Sequence, residues 1–213
     1  MKTYENIEEY ILSHIDAEPE ELIHVRRQAH LSLIHPRMIS GHLQGRILKM
    51  LIKMVNPQHA LEIGTYTGYS ALCIAEGLSE KAQLDTIEIN DEMEAKIHTA
   101  FSKSQHKHKI NLHIGDALSI IPNFPYTFDF TFIDGNKRHY IEYYEAVLAH
   151  TKTGGFILAD NTLWDGHVLK NSTPQTDKQT AGIKAFNIHI KNDTRVEKVI
   201  LPIRDGITIL QKI

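Results

Sequence analysis

Three oxygen-bearing side chains stand at the ends of two apolar runs in the second half of the chain. The run FTFID ends at Asp134, and the run FILADN ends at Asp160 and Asn161. If the two runs are neighbouring strands, these side chains converge at one edge of a sheet. Their oxygens suit a hard divalent cation, Mg²⁺, Mn²⁺ or Ca²⁺, and leave positions open for water and substrate. The structural alternative is that Asp160 and Asn161 only cap the loop that follows.

A lysine lies close to this predicted metal site. Lys137 follows Asp134 by three residues. A nearby divalent cation disfavours the charged form of a lysine, so Lys137 could act as a general base. Surface lysines are commoner than catalytic ones, and the spacing alone does not separate the two roles.

A glycine turn follows the apolar run ALEI. Gly64 and Gly68 form a G-x-x-x-G pattern before a predicted helix, which places backbone N–H groups at a helix N-terminus where a polar group can bind. The pattern is neither the dinucleotide fingerprint nor a phosphate loop. Glycines also serve tight turns for structural reasons alone. Glu62 strengthens the functional interpretation, because a carboxylate inside an apolar strand is costly without a partner.

The next apolar run indicates a nucleoside. Glu88 ends TIE, 24 residues after Gly64, where folds of this type hold ribose hydroxyls. Glu88 could instead begin the next loop or cap the helix predicted from Asp91. Asp116, after INLHIG, is equally consistent with a helix N-cap and with an adenine contact.

The elements that must position these residues are predicted by the hydrophobic pattern. The runs ALEIG, LDTIEI, INLHIG, FDFTFID and GFILAD alternate with amphipathic segments, which is typical of βαβ units. We therefore predict an α/β fold with a doubly wound, Rossmann-like sheet of five parallel strands and helices on both faces. After a helix over about 179–190, VEKVILPI and GITILQKI are too close for a parallel return and predict a C-terminal antiparallel hairpin.

Three helix-like segments precede Pro57 and predict a helical N-terminal extension over residues 1–56, followed by an α/β core over 57–213. Residues 166–180 read as a polar loop within one domain, 1–213, rather than as a linker. Cys73 is the only cysteine, which favours a reducing compartment, and no export signal or membrane-spanning run is present. We therefore expect a cytoplasmic protein.

The net charge of −3, from 26 acidic and 23 basic residues, lacks the basic excess of nucleic-acid or anionic-membrane binders. A small, near-neutral substrate fits this balance better. The 14 histidines are scattered and include no H-E-x-x-H motif, so a histidine-based metalloenzyme has little support.

Several motifs in order resemble one enzyme family. LEIGTYTGYSALCIAEGL, TIEIN, FIDGNKRHY, GGFILADNTLWDGHV and LPIRDGITIL are similar to the cation-dependent class I S-adenosylmethionine O-methyltransferases of the catechol and caffeoyl-CoA type, in its bacterial branch. The similarity runs from about Met38 to the C-terminus. It implies one class I methyltransferase domain that acts on a small vicinal aromatic diol with S-adenosylmethionine and a divalent cation. It also implies a homodimer.

The resemblance assigns roles residue by residue. Lys137 matches the catalytic lysine of the family. The positions that it assigns to the cofactor are Met38, Ser40, Glu62, Gly64, Tyr66, Ser70, Glu88, Ile89, Asp116, Ala117 and Asp134. The positions that it assigns to the metal are Asp134, Asp160 and Asn161.

Two other functions stay open from the sequence. A tRNA hydroxyuridine O-methyltransferase would use the same cofactor and metal site, and the basic stretch over residues 103–109 could contact phosphates, although the net charge argues against it. A protein that binds the cofactor without transferring methyl groups is disfavoured by the presence of Asp134, Lys137, Asp160 and Asn161.

Overall fold

A computed structural model describes residues 2–170 and 177–213. Its seven strands form one sheet in the order β3-β2-β1-β4-β5-β7-β6. Strands β1 to β5 pair in parallel, and β7 pairs antiparallel with both β5 and β6, so the predicted five parallel strands and terminal hairpin are confirmed. The strands are β1 (His59–Ile63), β2 (Gln83–Glu88), β3 (Ile110–Ile114), β4 (Phe128–Ile133), β5 (Thr151–Ala159), β6 (Val196–Leu201) and β7 (Ile207–Lys212).

The helices follow the predicted alternation, with three before the first strand. They are α1 (Lys2–His14), α2 (Glu20–Ser32), α3 (Gly41–Val55), α4 (Tyr69–Gly77), α5 (Glu94–Ser102), α6 (Ala117–Ile120), α7 (Tyr140–Ala149) and α8 (Lys178–Asn192). None of those in the described ranges has both the length and the apolar sequence that crossing a membrane requires.

The polar loop predicted over residues 166–180 is shorter in the structure. A 3₁₀ segment spans Trp164–Leu169, and α8 begins at Lys178, one residue before the predicted start near 179. The helix starts there because the carboxylate of Asp177 accepts a hydrogen bond of 3.0 Å from the backbone N–H of Thr180, which satisfies a free donor of the first turn. Residues 171–176 of the predicted loop lie outside the described residues.

The sheet buries apolar side chains on both faces, because successive strand residues point to opposite sides. Ala60 and Phe132 belong to one cluster, which they share with residues of α2, α3 and α4. Leu61 and Ile133 belong to a second cluster, which includes residues of α7 and α8. Helices therefore cover both faces, as the hydrophobic runs predict.

The register brings the ends of four parallel strands to one level. Ile63 of β1 pairs with Ile87 of β2 and with Ile133 of β4, and Ile133 also pairs with Ala159 of β5. The residue that follows each of these four positions therefore lies at the same edge of the sheet.

Candidate active site

A cavity of about 1030 Å³ opens at this edge of the sheet. Twelve of the residues singled out from the sequence line it: Met38, Ser40, Gly64, Tyr66, Glu88, Ile89, Asp116, Ala117, Asp134, Lys137, Asp160 and Asn161. Glu62 and Ser70 are not among the lining residues, and both are buried. The strand ends thus gather nearly the whole predicted set around one cavity.

The glycine turn after β1 is held against both neighbouring strands. The backbone N–H groups of Gly64 and Thr65 donate to the carbonyl of Ile87 at 2.9 and 3.3 Å. Gly64 has a φ of +99°, and a Cβ at this position would overlap the carbonyl of Asp134. Only glycine lets the turn approach β4 this closely.

We expect Gly64→Ala to lower the free energy of unfolding by about 2 to 4 kcal/mol, because left-handed strain and the overlap with Asp134 add. Gly154→Ala is the matched control, since Gly154 has a φ of +81° with nothing within 4 Å of the added Cβ. Urea unfolding of the two variants measures the difference. Equal destabilisation would show that the approach to Asp134 imposes no cost.

The Glu88 carboxylate is fixed at the end of β2 by backbone donors. Its two oxygens accept hydrogen bonds from the N–H groups of Tyr66 at 2.7 Å and Asn90 at 2.8 Å. The side chain is 7% exposed and lines the cavity. A carboxylate held in this way presents acceptors to a hydroxylated ligand.

Asp116 is the N-cap residue of α6, as one of its two interpretations predicts, and it also lines the cavity. Its carboxylate accepts from the backbone N–H of Leu118 at 3.2 Å, at the start of α6. The helix cap and an adenine contact are therefore compatible, because a residue that caps α6 also lines the cavity.

Glu62 lies fully buried beneath the glycine turn. Its Oε2 accepts a hydrogen bond of 2.5 Å from the hydroxyl of Thr86, whereas its Oε1 has no partner among the described side chains. Burial raises the pKa of this carboxyl to about 7, and the negative charges of Asp134 and Glu88 act in the same direction. The folded protein thus carries an ionisable group that prefers its neutral form.

This shift makes stability depend on pH in a definite direction. The folded protein holds the Glu62 proton up to a pKa of about 7, whereas the unfolded chain releases it near 4.5, so stability falls as the pH rises between these values. Glu62→Gln removes this contribution. We expect its stability relative to the unsubstituted protein to rise by on the order of 3 kcal/mol across this interval, measured by urea unfolding. A pH-independent difference would contradict the assignment.

Two carboxylates meet at the ends of β4 and β5. The Oδ1 of Asp134 accepts from Lys137 Nζ at 2.6 Å. Asp160 is 3% exposed, and its oxygens accept from the Asn161 N–H at 2.7 Å and from Gln44 Nε2 at 2.5 Å. Burial and the charge of Asp134 together raise the pKa of Asp160 to about 6, against the opposing effects of Lys137 and of the hydrogen bonds from Gln44 and Asn161.

The donor set at this edge fits a hard divalent cation. Asp134 and Asp160 repel each other in a largely buried setting, and a positive charge between them would relieve that repulsion. Asn161 adds an amide oxygen and adopts a left-handed backbone conformation, with a φ of +57°, which asparagine tolerates well. Carboxylate and amide oxygens are the ligands that Mg²⁺, Mn²⁺ and Ca²⁺ prefer.

Lys137 is unusually buried for a lysine, at 7% exposure. Its ammonium nitrogen bonds to Asp134 and lies 4.9 Å from the ring centroid of Tyr140. The Tyr140 hydroxyl in turn donates to the backbone carbonyls of Ile133 and Asp160. The lysine is therefore held at the end of β4 by contacts on two sides, in a position that faces the cavity.

Sequence reasoning missed two polar residues at this edge. Gln44 of α3 bonds to Asp160, and Arg204 of the β6–β7 turn bonds to Gln44. The signal for Gln44 was available, since it is a polar residue on a helix face that is otherwise apolar and buried. No pattern in the sequence pointed to Arg204. Two aromatic side chains, Tyr143 and Trp164, also line the cavity.

Comparison with known proteins identifies relatives of the whole chain. A family model described as O-methyltransferase matches residues 13–213. Caffeoyl-CoA O-methyltransferase 1 of Arabidopsis thaliana is 33% identical over 98% of this chain and 85% of its own length. Caffeoyl-CoA O-methyltransferase of Petroselinum crispum is 32% identical over 92% of this chain and 85% of its own.

Known structures agree with these sequence matches. The O-methyltransferase TomG of Streptomyces achromogenes, in complex with SAM, superposes with a TM-score of 0.88 at 27% identity, over 97% of this chain and 96% of that one. The SAH-bound methyltransferase PaMTH1 of Podospora anserina superposes with a TM-score of 0.91 at 25% identity, over 100% and 96%.

Proposed function

The chain belongs to the O-methyltransferase family and is an S-adenosylmethionine-dependent enzyme, and on this premise we propose that it methylates one hydroxyl of a vicinal aromatic diol with the help of a divalent cation. The acceptor would be a catechol, a caffeoyl-type compound or a related small molecule. One observation carries the proposal. The glycine turn with Glu88 and the acidic edge with Lys137 line the same cavity.

The cofactor would extend along the strand ends from β3 to β1. The Glu88 carboxylate would accept hydrogen bonds from the ribose hydroxyls, and Ile89, Asp116 and Ala117 would border the adenine. The turn at Gly64 to Ser70, with Met38 and Ser40, would enclose the methionine part. Glu62 and Ser70 are buried below the turn, so we assign them support of its shape rather than exposed surface for the ligand.

The acceptor would bind at the ends of β4 and β5. Asp134, Asp160 and Asn161 would hold the cation, for which Mg²⁺ is the first choice and Mn²⁺ or Ca²⁺ the alternatives. A cation held there supplies positive charge that stabilises a phenolate and favours two adjacent hydroxyls over one. Trp164 would flank the aromatic ring.

Lys137 would accept the proton of the hydroxyl that becomes methylated. The neutral amine is required, so Lys137, which donates to Asp134 through Nζ, must first release a proton to solvent. As the hydroxyl oxygen forms its bond to the methyl carbon, the carbon–sulfur bond breaks and its electron pair stays on sulfur, which releases S-adenosylhomocysteine. Fixing the oxygen and the methyl group in line reduces the entropic part of the barrier.

Methyl transfer to a small panel of acceptors tests the proposal. With S-adenosylmethionine and Mg²⁺, vicinal diols such as catechol and caffeate should accept methyl groups, whereas a monophenol of the same size should not. Methylation of the monophenol at the rate of the diol would overturn the two-hydroxyl requirement. Absence of transfer to every diol would overturn the acceptor class.

A hydroxylated tRNA base as acceptor receives no support from the basic stretch over residues 103–109. Lys109 is buried and donates to the carbonyl of Leu78 at 3.0 Å. His108 contacts Glu80 at 2.9 Å, so part of the stretch is engaged within the protein. Phosphate contacts need exposed, unengaged cations.

A homodimer stays a prediction. The two N-terminal helices expose apolar side chains that include Ile7, Tyr10 and Leu31. Such a face would fit a second copy of the chain.

A further inference from the structure

Arg204 brings a positive charge to the cavity that the methyl-transfer chemistry does not use. It lies in the turn between β6 and β7, is exposed, and lines the cavity beside Asp205. Its Nη1 donates to the backbone carbonyl of Ile39 at 3.3 Å and to the side-chain oxygen of Gln44 at 3.1 Å. Both acceptors are neutral, so the guanidinium is oriented without being neutralised.

The positive charge of Arg204 is not paired with a carboxylate in the part of the chain that the structure describes. Among the described residues, no carboxylate oxygen lies within the 4.0 Å that defines an ion pair with this guanidinium. Lys137, the other strong cation that lines the cavity, is paired with Asp134. Of the described lysine and arginine residues that line the cavity, Arg204 is therefore the one available to an anionic ligand.

The backbone of Arg204 adds an independent observation. Its φ of +50° is left-handed, a conformation that residues with a side chain adopt at a cost. The bonds to Ile39 and Gln44 oppose that cost and hold the exposed side chain against α3 and the residues just before it. Strain kept beside a ligand cavity is typical of a residue that serves the site.

The contacts of Arg204 place it at the acceptor end of the cavity. Gln44 joins it to Asp160 through hydrogen bonds on both of its amide atoms, and the next residue, Asp205, accepts a long hydrogen bond of 3.5 Å from Asn161. The turn extends from β7, which pairs with β5, whereas Glu88 ends β2 on the other side of the sheet centre.

We propose that Arg204 binds a carboxylate on the methyl acceptor, so that the enzyme prefers diols that carry an acidic substituent. This proposal rests on the proposed function and narrows its substrate class. A guanidinium can form two parallel hydrogen bonds with a carboxylate, which adds orientation to the attraction. Binding of this kind would fix which side of the ring faces the acidic edge.

One other carboxylate could reach Arg204, that of the methionine part of the cofactor, because Ile39 lies between Met38 and Ser40. The two sources differ in what they predict. If the acceptor supplies the carboxylate, loss of the charge changes the selectivity among acceptors. If the cofactor supplies it, loss of the charge weakens cofactor binding and affects every acceptor equally.

The experiment compares a dihydroxybenzoate that has adjacent hydroxyls with its methyl ester, which keeps the diol and removes the charge. The ratio of kcat/KM for acid over ester is measured in the unsubstituted enzyme, Arg204→Gln and Arg204→Lys. We expect Arg204→Gln to lower this ratio about tenfold, mainly through the KM of the acid, while Arg204→Lys retains most of it. The preference should also weaken as salt is added.

A matched control removes a charge near the site but outside the cavity wall. Arg138 is exposed and does not line the cavity. Arg138→Gln should leave the ratio unchanged. If Arg138→Gln lowers the ratio as much as Arg204→Gln does, the preference for the acid comes from the overall positive charge near the cavity and not from a contact with Arg204. The proposal is then wrong.

A binding measurement gives a readout that does not depend on turnover. Trp164 is the only tryptophan of the chain and lines the cavity, so ligands can be titrated by its fluorescence. We expect Arg204→Gln to weaken binding of the acid about tenfold and to leave the dissociation constants of the ester and of S-adenosylmethionine within twofold. Weakened cofactor binding with an unchanged acid-to-ester ratio would overturn the proposal.

Failure of the inference can be told apart from failure of the proposed function. If the unsubstituted enzyme methylates neither acid nor ester, the acceptor class is wrong. If it methylates both, and Arg204→Gln has the same acid-to-ester ratio of kcat/KM, the diol proposal stands and the proposed role of Arg204 is wrong. Equal losses for both acceptors with unchanged S-adenosylmethionine binding would also overturn the role of Arg204 and would make it a support for Gln44 and Asp160.

Discussion

Lys137→Met is expected to lower kcat for methyl transfer by about 10²- to 10⁴-fold, the usual contribution of a positioned general base. Methionine replaces the lysine side chain up to Cε in its buried position but has no nitrogen to accept the hydroxyl proton. S-adenosylmethionine binding should stay within a few-fold, because Lys137 contacts the acidic edge rather than the glycine turn. Single-turnover kinetics and Trp164 fluorescence measure the two quantities.

The control for Lys137→Met is a second lysine that also pairs with an aspartate but lies away from the cavity. Lys152 contacts Asp129 at 2.7 Å and does not line the cavity, so Lys152→Met should keep full activity. Lys137→Arg separates charge from proton transfer, since arginine keeps the positive charge and is a far poorer base. Near-normal turnover by either Lys137 variant would rule out proton acceptance by this residue.

Asp160→Asn is expected to abolish measurable methyl transfer while making the protein more stable. The change removes one anionic ligand, so the affinity for a divalent cation should fall at least about 100-fold. It also removes a charge that burial and Asp134 disfavour, as the raised pKa of about 6 indicates, so the thermal midpoint should rise. Titration with Mn²⁺, followed by electron paramagnetic resonance, measures the first effect and thermal unfolding the second.

Asp85→Asn is the matched control for the metal-site variant. Asp85 is as buried as Asp160, but it bonds to His113 and Tyr126 and does not line the cavity. It should leave Mn²⁺ affinity unchanged. If Asp160→Asn binds Mn²⁺ as well as the unsubstituted protein does, Asp160 is not a metal ligand.

The sheet and most of the cavity wall follow from local features of the sequence. Parallel strands end at one edge, so the residues after ALEI, FTFI and FILA had to meet once their runs were recognised as neighbouring strands. Gly64 was predicted to lie at this edge for the same reason, because it directly follows ALEI. The hairpin was predictable because the connection between β6 and β7 is too short for any parallel return.

The contacts that cross the fold were not predictable in this way. Gln44 and Asp160 are separated by 116 residues, and Gln44 and Arg204 by 160. Their meeting depends on how α3 and the β6–β7 turn pack beside the sheet, and no periodicity encodes that packing.

The most direct test of the central claim is methyl transfer to a vicinal diol by enzyme stripped of metal and then resupplied with Mg²⁺. Bound S-adenosylmethionine is verified first by Trp164 fluorescence, so that loss of the cofactor does not mimic loss of the cation. We expect transfer to fall to background in the stripped enzyme and to return with Mg²⁺ in proportion to site occupancy. Undiminished transfer to the diol by the stripped enzyme would contradict a cation held by Asp134, Asp160 and Asn161.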